Sequence, residues 1–265
     1  MATIARTADV DKTAVLGQNV KIGPNCIVMA NVEIGDDCEL QSNIIIYSGT
    51  KIGKRNRFFH GAAMGHEPQT LGLVNPESSL VIGDDNVFRE YTTVHRGMPS
   101  AGGKTSIGNN CYFMVGSHIG HDCEVQDNVV LTNYCSISGH CKIEYRAWLS
   151  GYSATHQFTT VGRFTYAAGR SNIGADVPPF MKVSDTEVRG LNANGLKRAG
   201  ISDESIAALN DAYRKLYRRK DKMSIKAAVA ELRDQPDLDE NVKYLLDSLD
   251  RKFQHRLGRY LETFR

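Results

Sequence analysis

Four of the eight histidines, His118, His121, His140 and His156, lie within one short part of the chain, and His121 is followed directly by Asp122. Imidazole titrates near neutrality, and a carboxylate beside it fixes one tautomer and leaves the other ring nitrogen to accept a proton. That pair is the equipment of a general base. A lone turn histidine is more often simply solvated, but four of them near one carboxylate point to a groove lined by imidazoles. All six cysteines fall at a small-residue position of a repeat, so none is left over as a nucleophile. Direct group transfer is therefore expected, without a covalent enzyme intermediate.

The elements that must position these side chains follow from a period of six. Ile4, Val10, Leu16, Ile22, Val28, Ile34, Leu40, Ile46, Ile52, Phe58 and Met64 keep one phase, which resumes at Ile82, Phe88 and Val94. After a slip of one residue it runs from Ile107 to Ile173, with only Thr155 and Ala167 lacking a large apolar side chain. Gly often follows the apolar residue, and a small residue such as Cys26, Cys38, Cys111, Cys123, Cys135 or Cys141 stands four places after it. A period of six belongs to neither a helix nor a long strand. It means short strands and turns wound into a parallel β-helix whose coils bury one another.

The pattern apolar-Gly-x-x-small-x resembles the hexapeptide-repeat transferases. The resemblance implies a left-handed parallel β-helix with eighteen residues per coil. Eighteen residues beyond His121 stands Gly139, and eighteen further stands Gln157, so His140 and His156 fall within one residue of that column. Several imidazoles are then expected along one corner of a prism whose coils stack about 4.8 Å apart.

The remaining features bound the answer. A net charge of +2 over 265 residues singles out no nucleic-acid partner. The opening MATIARTADV has no apolar signal region and no run of about 18 apolar residues occurs, so a cytoplasmic chain without membrane insertion is expected. Reduced, core-filling cysteines fit that compartment. The β-helix is expected over residues 1–180, with extruded loops at 65–81 and 96–106, and a helical domain over 181–265. Residues 180–200 read as irregular. Beyond them Ser202 is expected to cap a helix, and further helices are expected over 224–232 and 239–260 to cover the last coil.

A narrower resemblance rests on TVHRG (93–97), HIGHDC (118–123), SGH (138–140), HQF (156–158), ADVPPF (175–180) and GLKRAG (195–200). Together these resemble the acyl-carrier-protein-dependent UDP-N-acetylglucosamine O-acyltransferases that begin lipid A synthesis, and the likeness covers the whole chain. It implies that His121 is the general base for the sugar 3-hydroxyl, supported by Asp122, and that the Gly139 N–H stabilises the oxyanion. It further implies that His95, His118, His140, His156 and Gln157 line the groove. Gln69, Asn192 and Arg198 would contact the nucleotide sugar, and Gly169 would leave room for the acyl tail. The family resemblance also implies a homotrimer with sites between subunits, and no cofactor or metal beyond the acyl-carrier-protein co-substrate. The run Arg214, Lys215, Arg218, Arg219, Lys220 reads as a solvated helix face or as a dock for the acidic carrier protein.

Thr70, Gly72, Asn194 and Ala199 depart from the family pattern, each removing charge near the acceptor, so a different nucleotide sugar is an alternative. Two other readings remain open at this stage: a γ-type zinc carbonic anhydrase, which shares the fold, and a binding scaffold without catalysis.

Overall fold

The computed structural model describes residues 1–71, 78–99, 102–219 and 223–264. The six-residue period becomes a succession of two-residue strands, such as Lys21–Ile22, Ile27–Val28 and Glu33–Ile34, each with its second residue buried. Strands pair in parallel with the strand one coil on: Lys21 with Glu39, Ile27 with Ile45, Glu33 with Lys51. Three sheets of 11, 9 and 8 strands form the faces of a prism, the left-handed parallel β-helix. They are called here the first, second and third faces.

Most corners contain a residue with positive φ, and Asn fills that place repeatedly: Asn19, Asn25 and Asn31 all have φ 57°. Asn reaches the left-handed region at lower cost than most side chains because its amide bonds locally. Inside the prism Phe58, Phe88 and Phe113 stack with centroids 4.9 Å apart, each fully buried. All six cysteines are free and buried, as expected of small core fillers.

Two insertions interrupt the coils. Arg57 pairs with Val87, and Val87 with Tyr112, offsets of 30 and 25 in place of 18. The loops are narrower than the sequence suggested, because strands Ala63–His66 and Ser79–Ile82 extend into the first from both ends and Lys104–Ile107 extends into the second from its far end. Each loop runs from the second face to the third, so both leave from the same prism corner. Thr70 Oγ1 of the first donates to Met98 Sδ of the second at 3.3 Å.

The region after Pro179 is more regular than its composition implied. Strand Met181–Ser184 adds in parallel to the first face, and Glu187–Leu191 returns antiparallel to it. The hairpin closes at Asp185, φ 53°. Tertiary pairing with an open sheet edge overrides a weak local signal. Among the described residues four α-helices follow: α1 (Ala193–Arg198), α2 (Asp203–Tyr217), α3 (Ile225–Arg233) and α4 (Glu240–Phe253). Ser202, Ser224 and Asp239 cap the last three through their side chains. Helix α4 stops seven residues short of the expected Tyr260. Gly258, φ 65°, redirects the chain into a 3-10 helix, Tyr260–Phe264, and leaves Leu257 46% exposed.

Candidate active site

The corner from which both loops emerge also carries the turns between the second and third faces at residues 120–123, 138–141 and 156–159. Their strands pair His118 with Ser136 and Ser136 with Ala154, so His121, Gly139 and Gln157 form one column. Asp122, His140 and Phe158 form the next, with φ of 58°, 60° and 63°. The two columns are joined by His140 N–H to His121 O at 2.9 Å and Phe158 N–H to Gly139 O at 3.2 Å.

Asp122 is held from several sides. Its N–H donates to Thr105 Oγ1 at 2.8 Å and its Oδ1 accepts from the Met98 N–H at 2.9 Å. Its Oδ2 faces His121 Nδ1 at 2.7 Å, with the two side chains 4% and 9% exposed. A carboxylate can only accept here, which assigns the proton to Nδ1 and leaves Nε2 as the basic nitrogen. His140 stands edge-on to His121, ring centroids 4.9 Å apart, and stacks on Phe158 at 4.5 Å.

Gly139 is required by this arrangement. A Cβ there would stand 2.6 Å from His121 Cε1 and 2.8 Å from Nε2, so any side chain would displace the imidazole. One coil on, the Ser138 N–H donates to Thr155 Oγ1 at 3.1 Å, and Cys141 Sγ meets the same hydroxyl at 3.3 Å. The polar Thr155, an exception in the apolar repeat, thus braces the turn that holds Gly139.

A groove of about 850 Å³ opens on these columns, lined by Thr70, Met98, His121, Asp122, His140 and Phe158 among others. Gln157 also lines it, whereas His118, His95 and His156 do not. The expected single column of histidines is therefore corrected. His118 lies on the second face in register with Thr93, whose hydroxyl meets its Nδ1 at 2.8 Å. Burial, with His95 and His121 nearby, pushes its pKa down to about 4. His95 pairs with His66 across a register shift, meets Glu67 O through Nδ1 at 2.6 Å, and is also pushed down by burial. His156 is exposed, its Nδ1 on Gln157 O at 3.0 Å. A shift of one or two positions moves a side chain from a corner to a face, because strand residues alternate in direction.

Other expected site residues lie elsewhere in the protomer. Gly169 is on the corner between the first and second faces, stacked over Gly151. Asn192 donates through Nδ2 to Phe164 O at 2.9 Å on the corner between the third and first faces, and Arg198 is exposed nearby on α1. Gln69 is exposed on the first loop, next to Thr70 in the groove wall. In the basic run Lys215 pairs with Asp211 and Arg219 with Glu231, each at 2.7 Å, and Arg218 Nε donates to Tyr213 Oη. Arg214 is exposed. Lys220 and Gly72 lie outside the described residues. The Met98 amide, Thr105 and Phe158 were missed in the sequence. Counting hexapeptides from each loop back to its corner would have brought the loops to His121, but no local signal marks a backbone N–H.

Comparison with known proteins places the whole chain in a family. Residues 13–43 and 104–139 match the bacterial transferase hexapeptide family, and residues 176–258 match domain 2 of UDP N-acetylglucosamine O-acyltransferase. The chain is 38% identical over 247 residues, 92% of its length and 93% of the relative's, to the acyl-(acyl-carrier-protein)–UDP-N-acetylglucosamine O-acyltransferase of Stenotrophomonas maltophilia. It superposes on the UDP-N-acetylglucosamine O-acyltransferase structure from Moraxella catarrhalis with TM-score 0.88 at 36% identity, covering 93% and 96% of the two chains. For the Francisella novicida enzyme the TM-score is 0.87 at 34% identity, covering 92% and 90%. Continuous similarity across both the β-helix and the helical region means that this chain belongs to the acyl-(acyl-carrier-protein)–UDP-N-acetylglucosamine O-acyltransferase family.

Proposed function

We propose that this protein transfers an acyl chain from acyl carrier protein to the 3-hydroxyl of UDP-N-acetylglucosamine, the first step of lipid A synthesis, with His121 as general base. The observation that carries the reading is the 2.7 Å contact between His121 Nδ1 and the enclosed Asp122 carboxylate. With Nδ1 so committed, Nε2 takes the hydroxyl proton as the sugar oxygen attacks the thioester carbonyl. The Gly139 N–H, which donates to no acceptor among the described residues, stabilises the oxyanion. As the intermediate collapses, the C–S bond breaks and the imidazolium returns its proton to the departing carrier thiol. Family membership supports the substrates, and the enclosed dyad supports the base.

We place the reaction in the cytoplasm, a compartment that suits six free, buried cysteines. Among the described residues no helix is long and apolar enough to cross a membrane. A homotrimer is part of the same reading. Tyr91, Tyr134 and Tyr152, 58%, 53% and 63% exposed, climb the corner that also carries Gly169. That exposed apolar ladder suits a partner copy, whose groove Gly169 would then complete. Arg214 and its neighbours on α2 are the proposed contact for the acidic carrier protein, and Arg214→Glu should raise KM for carrier substrates at low salt.

The test is mass spectrometry of product formed from mixed acyl-carrier-protein thioesters and mixed UDP-sugars, with His121→Ala as control. Acylated UDP-N-acetylglucosamine that disappears in the variant is the expected result. An unimpaired variant overturns the role of His121. A second reading has one observation in its favour: His121, Asp122 and His140 bring possible ligand atoms within 4.8 Å of one another. Stoichiometric zinc needed for activity in the purified protein would favour that reading, a γ-type zinc carbonic anhydrase.

A further inference from the structure

We propose that the C-terminal segment Arg259–Phe264 is a wall of the acyl groove, and that Leu261 and Phe264 contact the transferred chain and set which chain lengths are accepted. The proposal rests on the acyl-transfer reading above. It adds residues that lie beyond position 258, where the match to the family's helical domain ends.

The segment is docked by buried polar contacts on the last coil. Asp176, 6% exposed, accepts from the Tyr260 N–H through Oδ2 at 2.9 Å and from the Thr160 N–H through Oδ1 at 2.7 Å. The Asp176 N–H donates to Gly258 O at 2.7 Å, and Lys252 Nζ donates to Asp176 O at 2.7 Å. Arg259, 9% exposed, donates from Nη1 to Gly174 O at 3.0 Å and from Nε to Glu262 Oε2 at 2.7 Å. Charged groups this enclosed hold position only while paired, since breaking one partner leaves an uncompensated charge.

Once docked, the 3-10 helix puts Leu261 and Phe264 into the groove that holds His121 and His140. Tyr260 and Phe264 meet edge-on with centroids 5.2 Å apart, which orients the Phe264 ring although its residue is 69% exposed. Met98 and Phe158 are further apolar members of the lining. The lining's lysine, Lys142, is already paired with Glu124 at 3.1 Å. Such a wall suits an alkyl chain better than a diphosphate. An exposed aromatic at the groove mouth gains its burial only when a chain lies against it.

The experiment uses the full-length protein with Leu261→Ser, Phe264→Ser and Arg259→Ala, and a graded series of acyl-carrier-protein thioesters. Lost contact with a buried aromatic or leucine side chain corresponds to about a tenfold fall in kcat/KM or more. That fall is expected for long donors only, with short donors and the KM for UDP-N-acetylglucosamine unchanged. Arg259→Ala, which frees the segment without touching the lining, should reproduce the shift. Calorimetric binding of an acyl-pantetheine thioester should weaken in the same order. An unchanged chain-length profile overturns the proposal, as does a rise in KM for the sugar nucleotide alone. A wild-type protein that acylates nothing while its thioester binding responds to the variants would instead overturn the acyl-transfer reading.

Discussion

The corner between the second and third faces recurs along the prism, and its two ends differ in chemistry at nearly constant backbone. Near the N-terminus it presents Ala30 and Asn31; further along it presents His121 and Asp122, then Gly139 and His140. Asn31 and Asp122 have φ of 57° and 58°, and each N–H is taken by a threonine hydroxyl, Thr13 or Thr105. Asn31 is exposed, whereas Asp122 lies beneath the Met98 loop. Positive φ is thus the ordinary condition of most corners in this fold and marks no site by itself. What distinguishes the His121 corner is residue type and cover.

Breaking the difference at its centre should have the largest effect. His121→Ala is expected to lower kcat by roughly 10³-fold, within the usual range for general-base loss, with thermal unfolding unchanged. Gly139→Ala comes next. Ala30 occupies the same turn position where no imidazole crosses it, but at Gly139 the added methyl meets His121. A displacement of this kind costs on the order of 10²-fold, read as lost kcat with KM for the nucleotide sugar retained. Asp122→Asn leaves the corner conformation available, since Asn31 adopts it, but removes the acceptor that selects the His121 tautomer. A fall in kcat of about tenfold or more is expected, and an unchanged rate would mean that the carboxylate does not act on the base.

Smaller effects separate stability from catalysis. The pKa of His118 is depressed to about 4, so its contribution to stability is present above about 6.5 and is lost as pH falls through 4. Melting temperature should therefore decline across that window, and His118→Gln should flatten part of the decline. The smallest expected change is at the uncovered end. Asn31→Ala places a residue without a local hydrogen bond at positive φ, costing about 1 kcal/mol, and should leave turnover untouched.

Much of this was legible in the chain. The coil, the inward cysteines, the helix caps and the His121–Asp122 adjacency all follow from local pattern. Phase even encodes the insertions: Arg57 to Val87 exceeds one coil by twelve residues, two full hexapeptides, so the phase returns unchanged. Val87 to Tyr112 exceeds it by seven, so the phase slips by one. The hairpin at Met181–Leu191 was not legible, because an open sheet edge, and not local propensity, induces it.

By itself the sequence determined the coiled repeat and the His121–Asp122 adjacency, since both are set by spacing along the chain. Only the tertiary structure decided which side chains share the groove. Moving His118 from corner to face, bringing the Met98 amide onto Asp122, and seating Leu261 and Phe264 beside His140 all depend on separate segments converging on one corner. Residue spacing carries no record of that convergence, because corner and face differ by one residue while the converging segments lie scores of residues apart.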